Sequence, residues 1–466
     1  MKMISDPIYY SLCLILVAII LFGIYLMSKV KTARLGNMLS AFATFIAVIL
    51  TIIHYNVFSN NQVVIIIIVT LLIGSLIGAF LSIKVKMIQM PELVALLNGF
   101  GGLSSALVGI ATLMTIPKND YFNVITSILA IVIGTVTLTG SLVASGKLAK
   151  LILGKSIMYK GQASINVLSN LLIAGLAVLI VVRQFDLSLL IILLTLISGL
   201  FGVNFTIKVG GADMPITISL LNSLSGVAGS IAGMAIGDPL LVAVGGIVGS
   251  SGLVLTQIMC KAMNRHLFDI LLGKTSVTKK ESVEKVEEIN EEDEREEKDD
   301  LKLLVNQARD IIIVPGYGMA LSQAQHLVKE LTVKFEEKGA NVRFAIHPVA
   351  GRMPGHMNIL LAEVDIDYDK LYEMDSINDD FKDCDLAIVI GANDVLNPAA
   401  RDAQDTPIYG MPILNVDEAK HIIICNYDLN PGYSGVDNPL YKRKYGLTLL
   451  LGDAKDSLKT LINQFE

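Results

Sequence analysis

"ARDIIIVPGYGMALSQAQ", Ala308 to Gln325, decides what kind of domain closes this 466-residue chain. Ile311 to Val314 are four consecutive apolar residues, the pattern of a strand buried on both faces. The turn Gly316-Tyr317-Gly318 follows, and then a stretch that predicts a helix over 319–338. Strand, Gly-x-Gly turn and helix are how a βαβ unit offers backbone N–H groups to a pyrophosphate. The third position of that fingerprint is Leu321 rather than glycine, so the motif is incomplete.

Downstream the pattern repeats. "DIIIV", "VRFAIH", "DLAIVIG", "PILNV", "HIIICN" and "LTLLLG" are short apolar runs ending in turn residues, and 453–465 reads as a further helix. Such alternation predicts a parallel sheet with helices on both faces, a Rossmann-like α/β domain over 305–466.

Upstream the chain suits a different solvent. It is 53% hydrophobic and 17% charged, with a mean hydropathy of +0.61, an excess that needs a bilayer. At about 20 apolar residues per crossing, nine spans are expected near 8–28, 36–54, 63–83, 92–116, 121–144, 164–183, 187–207, 214–236 and 238–260. The last two are rich in Gly and Ser, which predicts close helix packing. The N-terminal run reads as a first span rather than a cleaved signal. A multi-span α-helical membrane domain over 1–273 is therefore expected.

Loop charges set its orientation. Lys29, Lys31, Arg34, Lys84, Lys86, Lys147, Lys150, Lys155, Lys160, Lys208, Lys261 and Arg265 fall on one side, and only Lys2, Lys118 and Arg183 on the other. That imbalance predicts a cytoplasmic C-terminal domain and an outer N-terminus. Between the two domains, residues 274–304 read as an acidic linker; 279–300 alone hold twelve acids against five bases, a composition that stays solvated. The net charge of -6 and the lack of a basic face argue against nucleic acid. Cys13, Cys260, Cys384 and Cys425 are too scattered for a disulfide framework or a zinc site.

Candidate chemistry gathers at the strand ends. An ordinary NAD site wants Asp or Glu after the second strand, but this chain has His347 and Pro348 there. "HPVAGRMPGHMN" carries Arg352 among glycines, suited to a phosphate. "GANDVLNP" sets Asn393 and Asp394 just after a buried strand, and "NPGYSGVDNP" is a long loop able to cover a pocket. Four such loops in one domain predict a dinucleotide site. In the membrane domain Glu92, Asn98, Asn166, Asn204, Asp213 and Asn222 fall in or beside spans; an ionisable group there is a functional candidate, and an Asn is commonly an interhelical bridge. No histidine lies in mid-span.

The stretches "MPELVALL", "GGADMPITISLLNSLSG", "GSSGLVLTQIMCKAMNR", "PGYGMALSQAQ", "FAIHPVAGRMPGHMNILLAE", "EMDSINDDF", "VIGANDVLNPAA", "NPGYSGVDNPL" and "GDAK", in that order, resemble the β subunit of proton-translocating NAD(P)+ transhydrogenase. The resemblance runs from about residue 87 to 456. It implies a Re/Si-specific enzyme that couples hydride exchange between NADH and NADP+ to inward proton movement. It also implies NADP(H) on this chain, held in reverse of the ordinary Rossmann orientation, which would account for the missing acid.

The NADP(H) site so implied comprises Gly316, Tyr317, Gly318, Met319 and Ala320; His347, Val349, Ala350, Gly351 and Arg352; Gly391, Ala392, Asn393 and Asp394; Gly432, Tyr433, Ser434 and Gly435 of a lid loop; and Gly452 and Asp453. Asn98, Asp213, Asn222 and Arg265 would serve the proton path and its coupling. No side chain is implied as acid or base on the hydride, and no metal.

Two departures carry expectations of their own. Many family members have histidine where this chain has Asn98, which points to a membrane histidine on a partner subunit. The family's usual Lys-Arg-Ser before the lid is here Asn426-Tyr427-Asp428, which removes two cations that would hold a 2′-phosphate; the basic run Lys442-Arg443-Lys444 is a candidate substitute. Only one nucleotide domain is present, so NAD(H) is expected on an α subunit, in a complex that is a dimer in a cell (inner) membrane. The rival reading is an ion channel or transporter regulated by a nucleotide-sensing domain; it predicts ion flux and no transhydrogenation.

Overall fold

The computed structural model describes residues 4–27, 30–56, 61–85, 89–117, 119–154, 156–182, 185–210, 213–263, 265–272, 301–353, 355–404, 406, 408–432 and 434–465. The expected linker as far as residue 300, Tyr433, and the loop cations Lys2, Lys29, Lys86, Lys118, Lys155 and Arg183 lie outside them. The chain divides into two compact units, 1–209 with 217–255, and 210–216 with 256–466.

The chain holds nine long apolar helices among the described residues, all in the first unit except residues 214–216 of the eighth and 256–262 of the ninth: α1 (Asp6–Met27), α2 (Val30–His54), α3 (Asn61–Lys84), α4 (Met90–Thr115), α5 (Tyr121–Leu148), α6 (Gln162–Val182), α7 (Leu187–Ile207), α8 (Met214–Ile236) and α9 (Pro239–Ala262). Each matches one expected span, and nine helices of this length and apolarity make a multi-pass membrane protein.

Small residues set how closely they cross. A Cβ placed on Gly134 of α5 would lie 2.4 Å from the Gly102 carbonyl of α4, and one on Gly226 of α8 would lie 2.4 Å from the Gly249 nitrogen of α9. Any larger residue must push these helices apart, so the Gly/Ser richness of the last spans is packing geometry. Two polar seams join helices. Asn98 on α4 donates to the Ile218 carbonyl of α8 at 3.4 Å, and Asn204 on α7 donates to Asn166 of α6 at 2.6 Å while accepting from Tyr159 at 2.7 Å.

The second unit holds a six-stranded parallel sheet. Its strands are β1 (Asp310–Pro315), β2 (Asn341–Ile346), β3 (Leu371–Glu373), β4 (Leu386–Ile390), β5 (His421–Cys425) and β6 (Leu447–Leu449), in the order β3-β2-β1-β4-β5-β6. Ile311 to Val314 and Leu386 to Ile390 are fully buried, as central strands covered by helices on both faces must be. The order reverses between β1 and β4, which leaves a crevice beyond their carboxyl ends.

Three local expectations differ from the structure. A helix at 301–307 begins inside the stretch expected to be linker, because Leu301, Val305 and Ala308 recur at helical spacing and are buried. The single helix expected over 319–338 is two, Tyr317–Ser322 and Gln325–Glu337, since Gln323 takes a left-handed conformation (φ 52°) that closes the first. "PILNV" is not a strand. Its Ile413 carbonyl and Asn415 N–H pair with the Asn378 side chain, and Leu414 N–H bonds the Val395 carbonyl, so the run packs beneath the sheet without joining it. The strand in its place is β3, only three residues long.

Candidate functional site

The glycine turn after β1 and the turn after β4 interlock. Gly316 N–H bonds the Ile390 carbonyl and Gly318 N–H bonds the Gly391 carbonyl, both at 2.8 Å. A Cβ on Gly316 would stand 2.3 Å from the Gly391 oxygen, and Gly391 itself has φ +68°. The two glycines thus let the β1 and β4 turns touch at the switch point. Gly318 N–H is spent on that contact, not held out to a ligand. Met319 and Ala320 are buried beneath the turn.

After β2, His347 is a brace rather than a wall of the crevice. It is 2% exposed, its Nε2 lies 2.9 Å from the Pro412 carbonyl, and its Nδ1 accepts from Val349 N–H at 3.2 Å. Burial pushes its pKa down to about 4, so the ring is neutral and holds Val349 to Arg352 in place. Arg352 lies over the Tyr317 ring at 4.5 Å, a cation–π contact worth about 0.5–1 kcal/mol at an exposed site. Its backbone N–H donates to Nδ1 of His356, which is 2% exposed and also pushed down to about 4, by burial and then by the Arg352 charge.

The long loop after β5 is fastened by the residues that follow β4. Asp394 accepts from Ser434 N–H at 3.0 Å and from the Ser434 hydroxyl at 2.7 Å. Asn393 donates to the Asn430 carbonyl and accepts from Asn438, both at 3.0 Å, while Asn397 donates to the Asp437 carbonyl at 3.2 Å. Gly432 sits against the Asp394 carboxylate, where a Cβ would be 2.6 Å from it. "GANDVLNP" and "NPGYSGVDNP" are thus two halves of one clasp.

These loops enclose a cavity of about 230 Å³. Tyr317, Gly318, Val349, Ala350, Gly351, Arg352, Gly391, Ala392, Asn393, Asp394, Gly432 and Ser434 line it, twelve of the expected residues brought to one place. Asp213 and Arg265, which belong to the same unit, line it too and pair at 3.9 Å. Burial raises the Asp213 carboxyl above its ordinary range, and Arg265 offsets only part of that shift.

Gly316, Met319, Ala320, His347, Gly435, Gly452 and Asp453 are not part of the lining. Asp453 instead caps the helix Ala454–Ile462 by accepting from Lys455 N–H. In the first unit Asn98 reaches α8 one turn before Asn222, so these two share a seam. Sequence reasoning missed Val395, Ile408 and Met411 in the lining and His356 behind it. The apolar three carry no signal beyond that of core residues; His356 stands in a quoted motif, and its spacing from Arg352 could have found it.

The basic run is only partly available. Arg443 gives its guanidinium to the carbonyls of Asp417, Ala419, Lys420 and Tyr445, while Lys442 and Lys444 are exposed. Asn426 turns inward to the Ala392 carbonyl at 2.8 Å, and Tyr427 points outward.

The family model for the NAD(P) transhydrogenase beta subunit matches residues 9–464. The chain belongs to this family. Two relatives from Rhodospirillum rubrum, one from a designated strain, are each named NAD(P) transhydrogenase subunit beta; each is 36% identical over 444 residues, 94% of this chain and 94% of the relative. Nicotinamide nucleotides are the substrates that such a family name states.

Proposed function

We propose that this chain is the NADP(H)-binding, proton-translocating half of a Re/Si-specific membrane transhydrogenase. In this reading NADP(H) lies across the β1/β4 switch point, with a phosphate at Arg352 and the Asp394–Ser434 clasp over it. The observation that carries it is that clasp, a loop fastened by charge-assisted hydrogen bonds over the crevice of a parallel sheet. NAD(H) comes from an α subunit, which also supplies a membrane histidine opposite Asn98. The complex is a dimer in the inner membrane, with the nucleotide domain on the cytoplasmic side.

The bound nucleotides supply the hydride donor and acceptor. This chain's residues position one nicotinamide, exclude water and gate release. Protonation at the α4/α8 seam, where Asn98 meets the turn before Asn222, shifts the nucleotide site between closed and open states. Asp213, a buried carboxyl paired with Arg265 on the cavity lining, fits the transmitting role. Asn222→Asp and Asn222→Arg are expected to change proton pumping and NADP(H) release together in the complete enzyme. Unaltered pumping and release in both variants would contradict the coupling.

A further inference from the structure

At the end of the first unit where α1 and α9 begin, α1, the end of α2 and the turn between α8 and α9 bring titratable groups together. His54, in the last turn of α2, is 3% exposed and stacks on Tyr9 of α1, with ring centroids 3.8 Å apart and planes 12° from parallel. Its Nε2 lies 3.6 Å from the Asp6 carboxylate, which is 48% exposed. Its Nδ1 is buried without a hydrogen-bond partner among the described residues. Tyr9 donates its hydroxyl to Asp238 at 3.3 Å, in the turn between α8 and α9. Tyr55 meets the imidazole edge-on at 5.0 Å, and Cys13 lies one turn along α1.

Packing alone would be served by a phenyl ring. A buried imidazole with one nitrogen unpaired and the other beside a half-exposed carboxylate carries a cost that packing does not explain, and it is the one side chain here able to take up a proton near neutral pH. We propose that His54 is the proton-binding group at this end of the membrane unit, loaded from solvent past Asp6. The proton adds to the imidazole ring, and the imidazolium pairs with the Asp6 carboxylate; the same proton leaves when that partnership loosens. Asp238 carries the charge change onward. Its other oxygen accepts from Leu241 N–H at 3.0 Å and so caps α9, and its side chain also lines a cavity of about 430 Å³ with Tyr10, Met234 and Pro239. The inference rests on the proton-coupling reading above and adds where the proton is taken up before it reaches the α4/α8 seam.

The test uses the complete enzyme, this chain with its α partner, in liposomes. NADPH formation is followed while pH on the α1-start side is varied from about 5 to 8 with the other side held fixed. The wild type is expected to show a limb of up to about tenfold per pH unit. His54→Gln and His54→Phe, the latter keeping the stack on Tyr9, should flatten it. Asp6→Asn should weaken the limb and Asp6→Glu should restore it, because uptake runs past that carboxylate; a purely structural role would not single out the carboxylate. An unmoved wild-type limb in both His54 variants would overturn the proposal. Hydride exchange by the wild type with no proton movement would overturn the coupling reading itself, and the proposal with it.

Discussion

Asp394 shows how one side chain can fasten a loop. Both its oxygens accept from Ser434, and Gly432 leaves no side chain between the carboxylate and the loop. Asp394→Asn keeps the shape but removes the charge from both hydrogen bonds. NADP(H) release is expected to be faster by roughly tenfold, the equivalent of about 1.4 kcal/mol, with stopped-flow displacement as the measurement. The buried histidines add a pH dependence. His347 and His356 have folded pKa values of about 4 against an ordinary 6.5. Groups depressed in the fold stabilise it fully above their unfolded value and lose that contribution as pH falls through the folded one. The nucleotide unit should therefore weaken from about pH 6.5 toward 4, by on the order of 3 kcal/mol per histidine at most. Melting temperatures of the detergent-solubilised chain across that range check it; a flat profile in which His347→Asn matches the wild type would refute the assignment.

Helices and strands divide sharply in how readable they were. The nine spans could be found because a bilayer demands some 20 apolar residues at a time, and nothing subtler. The β1 strand and its glycine turn were equally plain. The broken helix at Gln323 was not, since a left-handed glutamine is fixed by the carbonyls of Met319 and Ala320 that it caps and leaves no mark in composition. "PILNV" misled because a buried extended run and a strand share one apolar pattern, and only its partner Asn378 separates them. In the site, charged and glycine residues were legible while Ile408 and Met411 looked like any core residue. His347 stood in the right loop but faces inward, because direction is set by Pro412, sixty-five residues away. Helix crossings give a prediction at this scale. Gly134→Val must separate α4 from α5, where a Cβ already has only 2.4 Å, and is expected to cost about 1–3 kcal/mol or more. Thermal unfolding in detergent should show it, whereas Gly74→Val on α3, where a Cβ meets nothing, should change little.

Across the whole molecule, a half of long apolar helices and a half built on a parallel sheet follow different packing rules. The first satisfies its backbone within helices and spends glycines on close crossings. The second buries a parallel sheet and leaves a crevice at its switch point. In the proposed function these two halves join a nucleotide site to a membrane path. The departure that tests this proposal is chemical: two cations expected beside the lid are replaced by Asn426 and Tyr427, and Arg443 is committed to backbone carbonyls. Lys442 and Lys444 remain exposed. The most direct measurement is calorimetric titration of the purified chain with NADP+ and with NAD+ under identical conditions. Binding of NADP+ at least about tenfold tighter, some 1.4 kcal/mol, is the expected result. NAD+ bound equally well or better would contradict the assignment of NADP(H) to this chain.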